Sequence, residues 1–364
     1  KTPSFMRIIQ IIDSLEPGGA ERMAVHYANA LAARIEFSGL VVTRKEGALD
    51  SQIDAKVSYL YLNKKKTVDF KALSTLRNYV IQHNVTVVHA HSTSFFLAFL
   101  LKLSMPSLKL IWHDHYGTRT NESVWDNLIL IFCSKFFSCV FVVNHHLESW
   151  GNKNLLTKKI YSIPNFATFE NNVLKETFLQ GQDEKRIVCL ANLKDPKNHL
   201  IILKVFAKMK LNELGWTVHL IGKDYQDSYS MILKNFIYKN NLEEFIFIYD
   251  SKNDIKHILS QATIGVLAST AEGFPVTLLE YGLAQLPVIS TNAGYCPLII
   301  KDNFSGLLFN PLNSSELELQ LQKMISMESL RNSFALHLQA LVLANYSKKK
   351  VVNVLIHHYK TVCD

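Results

Sequence analysis

Short apolar runs alternate with helix-length segments along nearly the whole chain, and this alternation restricts the fold more than any other feature. Residues 7–12, RIIQII, are continuous enough for a strand buried on both faces. The loop DSLEPGGAER and a helix to about Ala33 follow, then strands at Leu40–Thr43 and Val57–Leu62. Helices at Leu73–His83 and Ser94–Leu103 alternate with strands at Val85–His89 and Leu108–Trp112, and Val140–Asn144 and Ile160–Pro164 complete the set. The chain then turns polar and irregular over residues 166–185, which read as a linker. A second alternation starts at Ile187–Leu190. It runs through helix 198–210, Thr217–Ile221, helix 227–240, Phe245–Tyr249, helix 253–260, Ile264–Ala268, VIST at 288–291 and Leu307–Phe309, with a helix near Glu316–Ser326. Two rounds of strand–helix alternation predict an α/β protein with two doubly wound parallel sheets, and 364 residues suffice for two such domains.

Such sheets bind ligands off the carboxyl ends of their strands. The segments rich in polar or glycine residues fall there: Gly18–Gly19, His113-Asp114-His115, Lys197 and the stretch Glu272–Glu280. If the two sheets face one another, all four converge on one cleft.

The densest signal is AEGFPVTLLEYGLAQLPVISTNAG at 271–294. Glu272 follows a buried strand, Gly273 permits a tight backbone, and Pro275 suits the first turn of a helix running towards Ala284. Glu280 lies about two turns along that helix. Amides at Phe274, Val276 and Thr277 lie between the two carboxylates and suit an anion. Two carboxylates suit the hydroxyls of a sugar and a ribose, and the amides suit the phosphates joining them.

Gly18-Gly19-Ala20-Glu21-Arg22 opens a helix after the first strand, again a phosphate-compatible place. It lacks G-x-G-x-x-G and G-K-[ST], which argues against a nicotinamide, flavin or Walker site. His89-Ala90-His91 and His113-Asp114-His115 each carry a metal-compatible H-x-H, but no third and fourth ligands are evident from spacing, so no metal is assigned. A buried structural role competes with a binding role at each of these histidines.

Charge is uneven. Residues 1–165 carry 19 Lys and Arg against 12 Asp and Glu, a net of +7, of the chain's +8. A basic first half implies an anionic partner: membrane lipid, nucleic acid or a phosphorylated substrate. The absence of a zinc finger, an RNA-binding aromatic motif or a basic helix argues against nucleic acid. Five cysteines with no C-x-x-C fit a reduced, cytoplasmic compartment. Phe95–Leu103 and Leu128–Val143 are the most apolar stretches. The first is too short for a membrane span and the second is broken by Ser134 and Lys135, so both read as buried helix and strand.

The spacing Glu272-x7-Glu280, embedded as EGFPVTLLEYGLAQLPVISTNAG, resembles the signature of retaining GT-B glycosyltransferases of family 4, also called glycosyl transferases group 1. The PGGAER loop, the VVHAH and HD segments, Ile163-Pro164-Asn165 and Asp302–Leu308 resemble that family as well, so the likeness spans about Met6 to Val362. It implies two Rossmann-like domains, an acceptor-side one over 1–168 and a donor-binding one over 169–345. A terminal helix at about 346–364 would cross back to the first domain. It also implies transfer of a sugar from a nucleoside diphosphate, UDP favoured, to a glycan or lipid-linked glycan in bacterial surface polysaccharide assembly, without cofactor or metal. Glu272, Lys197 and His113 would be catalytic. Gly18, Gly19, Asn192, Lys194, Lys197, Glu272, Gly273, Phe274, Pro275, Val276, Thr277 and Glu280 would hold the donor, and His91, Asp114 and His115 would face the acceptor. Asn192 stands where the family usually has an arginine, which leaves open whether Lys194 replaces that charge. Phe166 replaces the glycine of the family hinge. The implied location is cytoplasmic, with peripheral contact to anionic membrane. A nucleotide-sugar epimerase or hydrolase on the same fold, and a non-catalytic glycan- or nucleotide-binding subunit, are the alternatives.

Overall fold

The computed structural model describes residues 4–116, 119, 122–169 and 173–363. Lys1–Pro3, residues 170–172 of the expected linker and Asp364 lie outside the described residues. The chain forms two compact units. Lys1–Asn165 with Lys348–Asp364 is unit one, and Phe166–Ser347 is unit two.

Unit one is a seven-stranded sheet in the order β3-β2-β1-β4-β5-β6-β7, parallel throughout. Its strands are β1 (Ser4–Ser14), β2 (Ile35–Lys45), β3 (Ser58–Tyr61), β4 (Val87–His91), β5 (Lys109–Asp114), β6 (Cys139–Val142) and β7 (Ile160–Ser162). Between them run α1 (Gly19–Ala32), α2 (Phe70–Gln82), α3 (Phe95–Ser104), α4 (Leu128–Ser134) and α5 (His145–Asn154). Unit two is a six-stranded parallel sheet in the order β10-β9-β8-β11-β12-β13. It contains β8 (Arg186–Leu190), β9 (Thr217–Ile221), β10 (Ile246–Tyr249), β11 (Ile264–Leu267), β12 (Val288–Thr291) and β13 (Leu307–Phe309). Its helices are α6 (His199–Lys208), α7 (Ser228–Lys239), α8 (Ile255–Ser260), α9 (Val276–Leu283), α10 (Cys296–Ile299), α11 (Ser314–Ser326) and α12 (Glu328–Tyr346). The terminal α13 (Lys348–Cys363) belongs to unit one.

Local chemistry explains many of these boundaries. Asp69, Asn144, Asp227 and Asn313 each accept a backbone N–H at the start of α2, α5, α7 and α11, satisfying an amide the helix cannot. α13 turns Val351, Val352, Leu355 and Tyr359 inward, the side that its apolar spacing picks out.

Both strand orders reverse once, between β1 and β4 in unit one and between β8 and β11 in unit two. Such reversals leave a crevice beyond the carboxyl ends of the strands. In unit two, Asn192–Lys197 and Glu272 follow the two strands flanking the reversal. In unit one, Gly18–Gly19 follow β1, but His91, His113 and Asp114 lie within β4 and β5, not after them.

Three expectations change. Residues 173–185 are irregular yet fastened to unit two. The Asp254 carboxylate accepts from the amides of Glu176 and Thr177 at 2.9 and 2.7 Å, and Arg186 donates to the carbonyls of Gln180 and Gly181 at 3.1 and 2.9 Å. α4 is buried on one side only: Leu130 and Cys133 are enclosed, whereas Leu128, Ile129 and Phe132 are exposed, together with Val124 and Trp125 in the 3-10 turn before it. Finally, α12 was not anticipated. It packs on α9, where a Cβ on Gly282 would lie 2.6 Å from Val342 Cγ2.

Candidate functional site

In unit two the loops after β8 and β11 meet. The Lys197 ammonium lies 2.6 Å from the Glu272 carboxylate, with the side chains 24% and 9% exposed. A pair this enclosed yet still open on one side can be addressed by a polar ligand. The loops are fastened to each other by Thr270 N–H donating to Pro196 O at 2.9 Å. Asn198, in the left-handed conformation, donates its amide to Ala268 O at 3.2 Å and Pro311 O at 2.9 Å. Gly294, at φ +57°, backs onto Glu272, and any Cβ there would sit 1.9 Å from the Glu272 carbonyl oxygen. Asn198 and Gly294 were not singled out from sequence. The signal existed in the K-N and N-A-G dipeptides beside the motif residues, but the need for their conformations appears only in the fold.

Glu272, Gly273, Phe274 and Pro275 lead into α9, whose first residues are Val276 and Thr277. The helix presents its first-turn amides and positive dipole end beside Glu272. The Thr277 hydroxyl donates to Leu190 O at 3.1 Å, tying the helix start to the end of β8. Glu280 is buried on α9. Tyr281, the next residue, accepts from Leu190 N–H at 2.9 Å. Phe274 stacks on Tyr295 with ring centroids 4.9 Å apart.

The arginine-replacing Asn192 is occupied locally, accepting Lys223 N–H at 3.0 Å. Lys194 Nζ lies 5.9 Å from the Tyr225 ring centroid and Lys223 Nζ 5.3 Å from it. Two cations thus border Tyr225, and Lys223 is a basic residue that no motif reading named. Below the ion pair, burial pushes the Cys189 thiol up to about 12, so it is an inert core group. His199, at the start of α6, is held neutral by burial, its pKa lowered to about 4. Its Nε2 faces Ala191 O at 3.3 Å and its Nδ1 faces the Tyr229 hydroxyl at 3.1 Å. The carbonyl can only accept, which puts the proton on Nε2.

Unit one arranges its candidates differently. Gly19 is exposed at the N-terminus of α1, with open space where a Cβ would lie. A Cβ on Gly18 would instead meet the Glu21 carboxylate at 2.2 Å. His91 and His113 are fully buried. The His113 ring is enclosed by Tyr27, His89, His91, His115 and Phe141, with ring centroids 4.1–5.9 Å away. Asp114 is buried against Arg119, whose guanidinium also donates to Asn127 Oδ1 at 2.5 Å. Burial raises the Asp114 pKa, and Arg119 opposes the rise. Asp114 thereby organises its own loop. The sequence reading found no third metal ligand beside H-x-H, but β4 and β5 are in register at His91 and His113, which gathers His89, His91 and His113 into one group.

Known proteins agree with this architecture. Residues 17–170 match the family model described as Glycosyltransferase Family 4, and residues 172–336 match Glycosyl transferases group 1. The chain is 22% identical over 334 residues to the amylovoran biosynthesis glycosyltransferase AmsD of Erwinia amylovora, covering 90% of this chain and 93% of that one. It is 22% identical to the capsular polysaccharide biosynthesis glycosyltransferase CapH of Staphylococcus aureus, over 86% and 87% of the two chains. Among solved structures, Anabaena HepE in complex with UDP and glucose superposes with a TM-score of 0.81 at 17% identity, covering 98% of this chain and all of that one. A sucrose-phosphate synthase from Thermosynechococcus elongatus superposes with a TM-score of 0.82 at 14% identity, over 98% and 99%. Two parallel sheets of this topology, the E-x7-E helix at the reversal of the second, and family matches that together span both units show that the chain belongs to the GT-B glycosyltransferases of group 1, family 4.

Proposed function

We propose that the protein is a retaining glycosyltransferase that uses a nucleoside diphosphate sugar, UDP-sugar first, bound by unit two. The observation that carries this reading is the Lys197–Glu272 pair at the sheet reversal, beside the N-terminus of α9. Breaking the anomeric bond builds positive charge on the sugar and negative charge on the diphosphate. Lys197 and the α9 amides would stabilise the departing diphosphate, which is the role a metal plays in other transferases. Glu272 would hold sugar hydroxyls and Glu280 the ribose. The donor's own phosphate would take the acceptor proton on the leaving-group face. HepE, one of the structural neighbours, was crystallised with UDP-glucose, which favours a uridine donor. In this reading His113 would not touch the donor sugar, because its ring is enclosed within unit one.

The acceptor would be a lipid-linked glycan, in keeping with the polysaccharide-assembly names of AmsD and CapH. Unit one holds 23 Lys and Arg against 13 Asp and Glu, a net of +10, whereas unit two holds 16 against 18, a net of −2. The exposed strip Val124, Trp125, Leu128, Ile129 and Phe132 lies on the basic unit. No helix among the described residues is long and apolar enough to cross a membrane. Peripheral contact with anionic lipid would use that strip and that charge.

Three experiments test the reading. Thermal shifts with UDP, GDP, ADP and CMP, metal-free, on wild type and Glu280→Ala should show one base stabilising only the wild type. No shift with any of them would remove the donor site. Transfer from an α-linked donor should give an α-linked product by NMR. Inversion would overturn the retaining mechanism, and donor hydrolysis that ignores acceptor would favour a hydrolase. Vesicle flotation with anionic lipid at low salt addresses the membrane part, which fails if no protein floats.

A further inference from the structure

Parallel strands covered on both sides normally present apolar residues to the layers above and below. One side of the unit-one sheet does the opposite. His89 and His91 alternate on β4 and so share a face, and register pairs His91 with His113 on β5. All three are 0% exposed. Tyr27 of α1 lies over them with centroid separations of 6.0, 6.0 and 5.9 Å.

Their nitrogens are only partly satisfied. His89 Nδ1 lies 2.7 Å from the Tyr359 hydroxyl, and His91 Nε2 lies 2.8 Å from Gln10 Oε1. An amide oxygen only accepts, so His91 carries its proton on Nε2 and keeps a lone pair on Nδ1. Among the described residues, His89 Nε2 and both ring nitrogens of His113 are buried without a hydrogen-bond partner. Buried polar atoms left this way cost desolvation with nothing in return. One nitrogen from each of the three rings lies within 4.8 Å of the others.

We propose that unit one holds a divalent d-block cation, zinc(II) being the best fit, on His89, His91 and His113. Imidazole donors suit zinc, copper, nickel and cobalt rather than magnesium or calcium. The bonds to Tyr359 and Gln10 are the outer-shell contacts that orient metal-binding histidines; Gln10 fixes the tautomer of His91, and the Tyr359 hydroxyl, able to accept as well as donate, lets His89 carry its proton on Nδ1 and offer Nε2. His113 can turn towards a cation without breaking a hydrogen bond. His115 Nε2, 3.0 Å from His91 Nδ1, is the nearest further imidazole and completes four nitrogens. With His89, His91 and His113 enclosed, the cation would be structural, joining β4 to β5, and separate from the donor chemistry of unit two.

The experiment uses untagged full-length protein, analysed for metal as purified and again after chelation. We expect about one zinc per chain at purification and a melting temperature that rises by several degrees when zinc, but not magnesium, is returned to the stripped protein. Cobalt(II) should give visible d–d absorption typical of low coordination number. His89→Phe and His113→Phe should abolish the zinc-dependent shift. If these variants do not fold, the cobalt spectrum of the wild type decides. Purified protein without stoichiometric zinc that also fails to shift with added zinc would overturn the proposal. So would a zinc shift lost on replacing the exposed pair His145 and His146 by alanine.

Discussion

The two units share a plan and spend their polar residues in opposite ways. Unit two packs its sheet mainly with apolar residues, with His219 of β9 a buried exception, and sets Lys197 and Glu272 on loops beyond β8 and β11, partly open. Unit one draws Gln10, His89, His91, His113 and Asp114 into the body of the sheet, each no more than 1% exposed. The first arrangement leaves side chains able to meet a ligand at little cost to the core. The second makes polar groups part of the packing, so a change there is felt as stability before anything else.

The contrast can be broken by substitution. The largest effect is expected from Tyr359→Ala, which removes a buried ring and the hydroxyl shared by His89 and Gln10. It should cost about 3–5 kcal/mol. The loss should be reported by Trp112, Trp125 and Trp150 of unit one but not by Trp216 of unit two, measured by urea unfolding of single-tryptophan variants. Equal loss at Trp216 would mean that the units do not unfold separately.

Lys197→Met should do the reverse, lowering kcat by about 10²–10³ while leaving the unfolding midpoint near wild type. A large stability loss with intact turnover would place Lys197 in the scaffold instead.

Acid sharpens the comparison within unit two. Burial lowers His199 and His219 to about 4. The unfolded chain then binds protons below its ordinary histidine pKa of about 6.5 while the folded unit does not, so stability is full above that pH and falls as pH drops towards about 4. The loss, up to about 3 kcal/mol for the more deeply buried His199, should be visible in urea midpoints at Trp216 between pH 7.5 and 4.5. A flat profile would show that neither ring stays neutral.

Gly282→Leu should cost about 1–3 kcal/mol by pushing α9 from Val342 of α12. Because α9 carries Glu280, donor affinity should fall with it, read by nucleotide titration. Unchanged affinity would mean that α9 holds its place without α12.

Most of the alternation was legible from the chain, since buried parallel strands are short apolar runs and the intervening helices bear their own caps. The motif at 271–294 was legible for a related reason: loop chemistry is written in consecutive residues. The histidine layer was not, because His91 and His113 meet only once the register of β4 and β5 is known. α12 escaped because its buried positions, Phe334, Ala335, Leu338 and Val342, sit among Asn, His and Gln residues that blur the period. α4 was misjudged because an apolar helix reads as core wherever it lies, and its exposed Ile129 and Phe132 carry no mark in the sequence to say otherwise.

The place of α13 bears on how the chain is made. Tyr359 closes over Gln10 and His89, partners 349 and 270 positions earlier. Unit two, built from one continuous stretch, can settle as soon as it leaves the ribosome. Unit one must wait, its histidine face still lacking Tyr359, until almost the entire polypeptide described here has emerged. During translation the unit begun first is therefore the one completed last, and a nascent chain halted before Tyr359 would leave Gln10 and His89 without that partner.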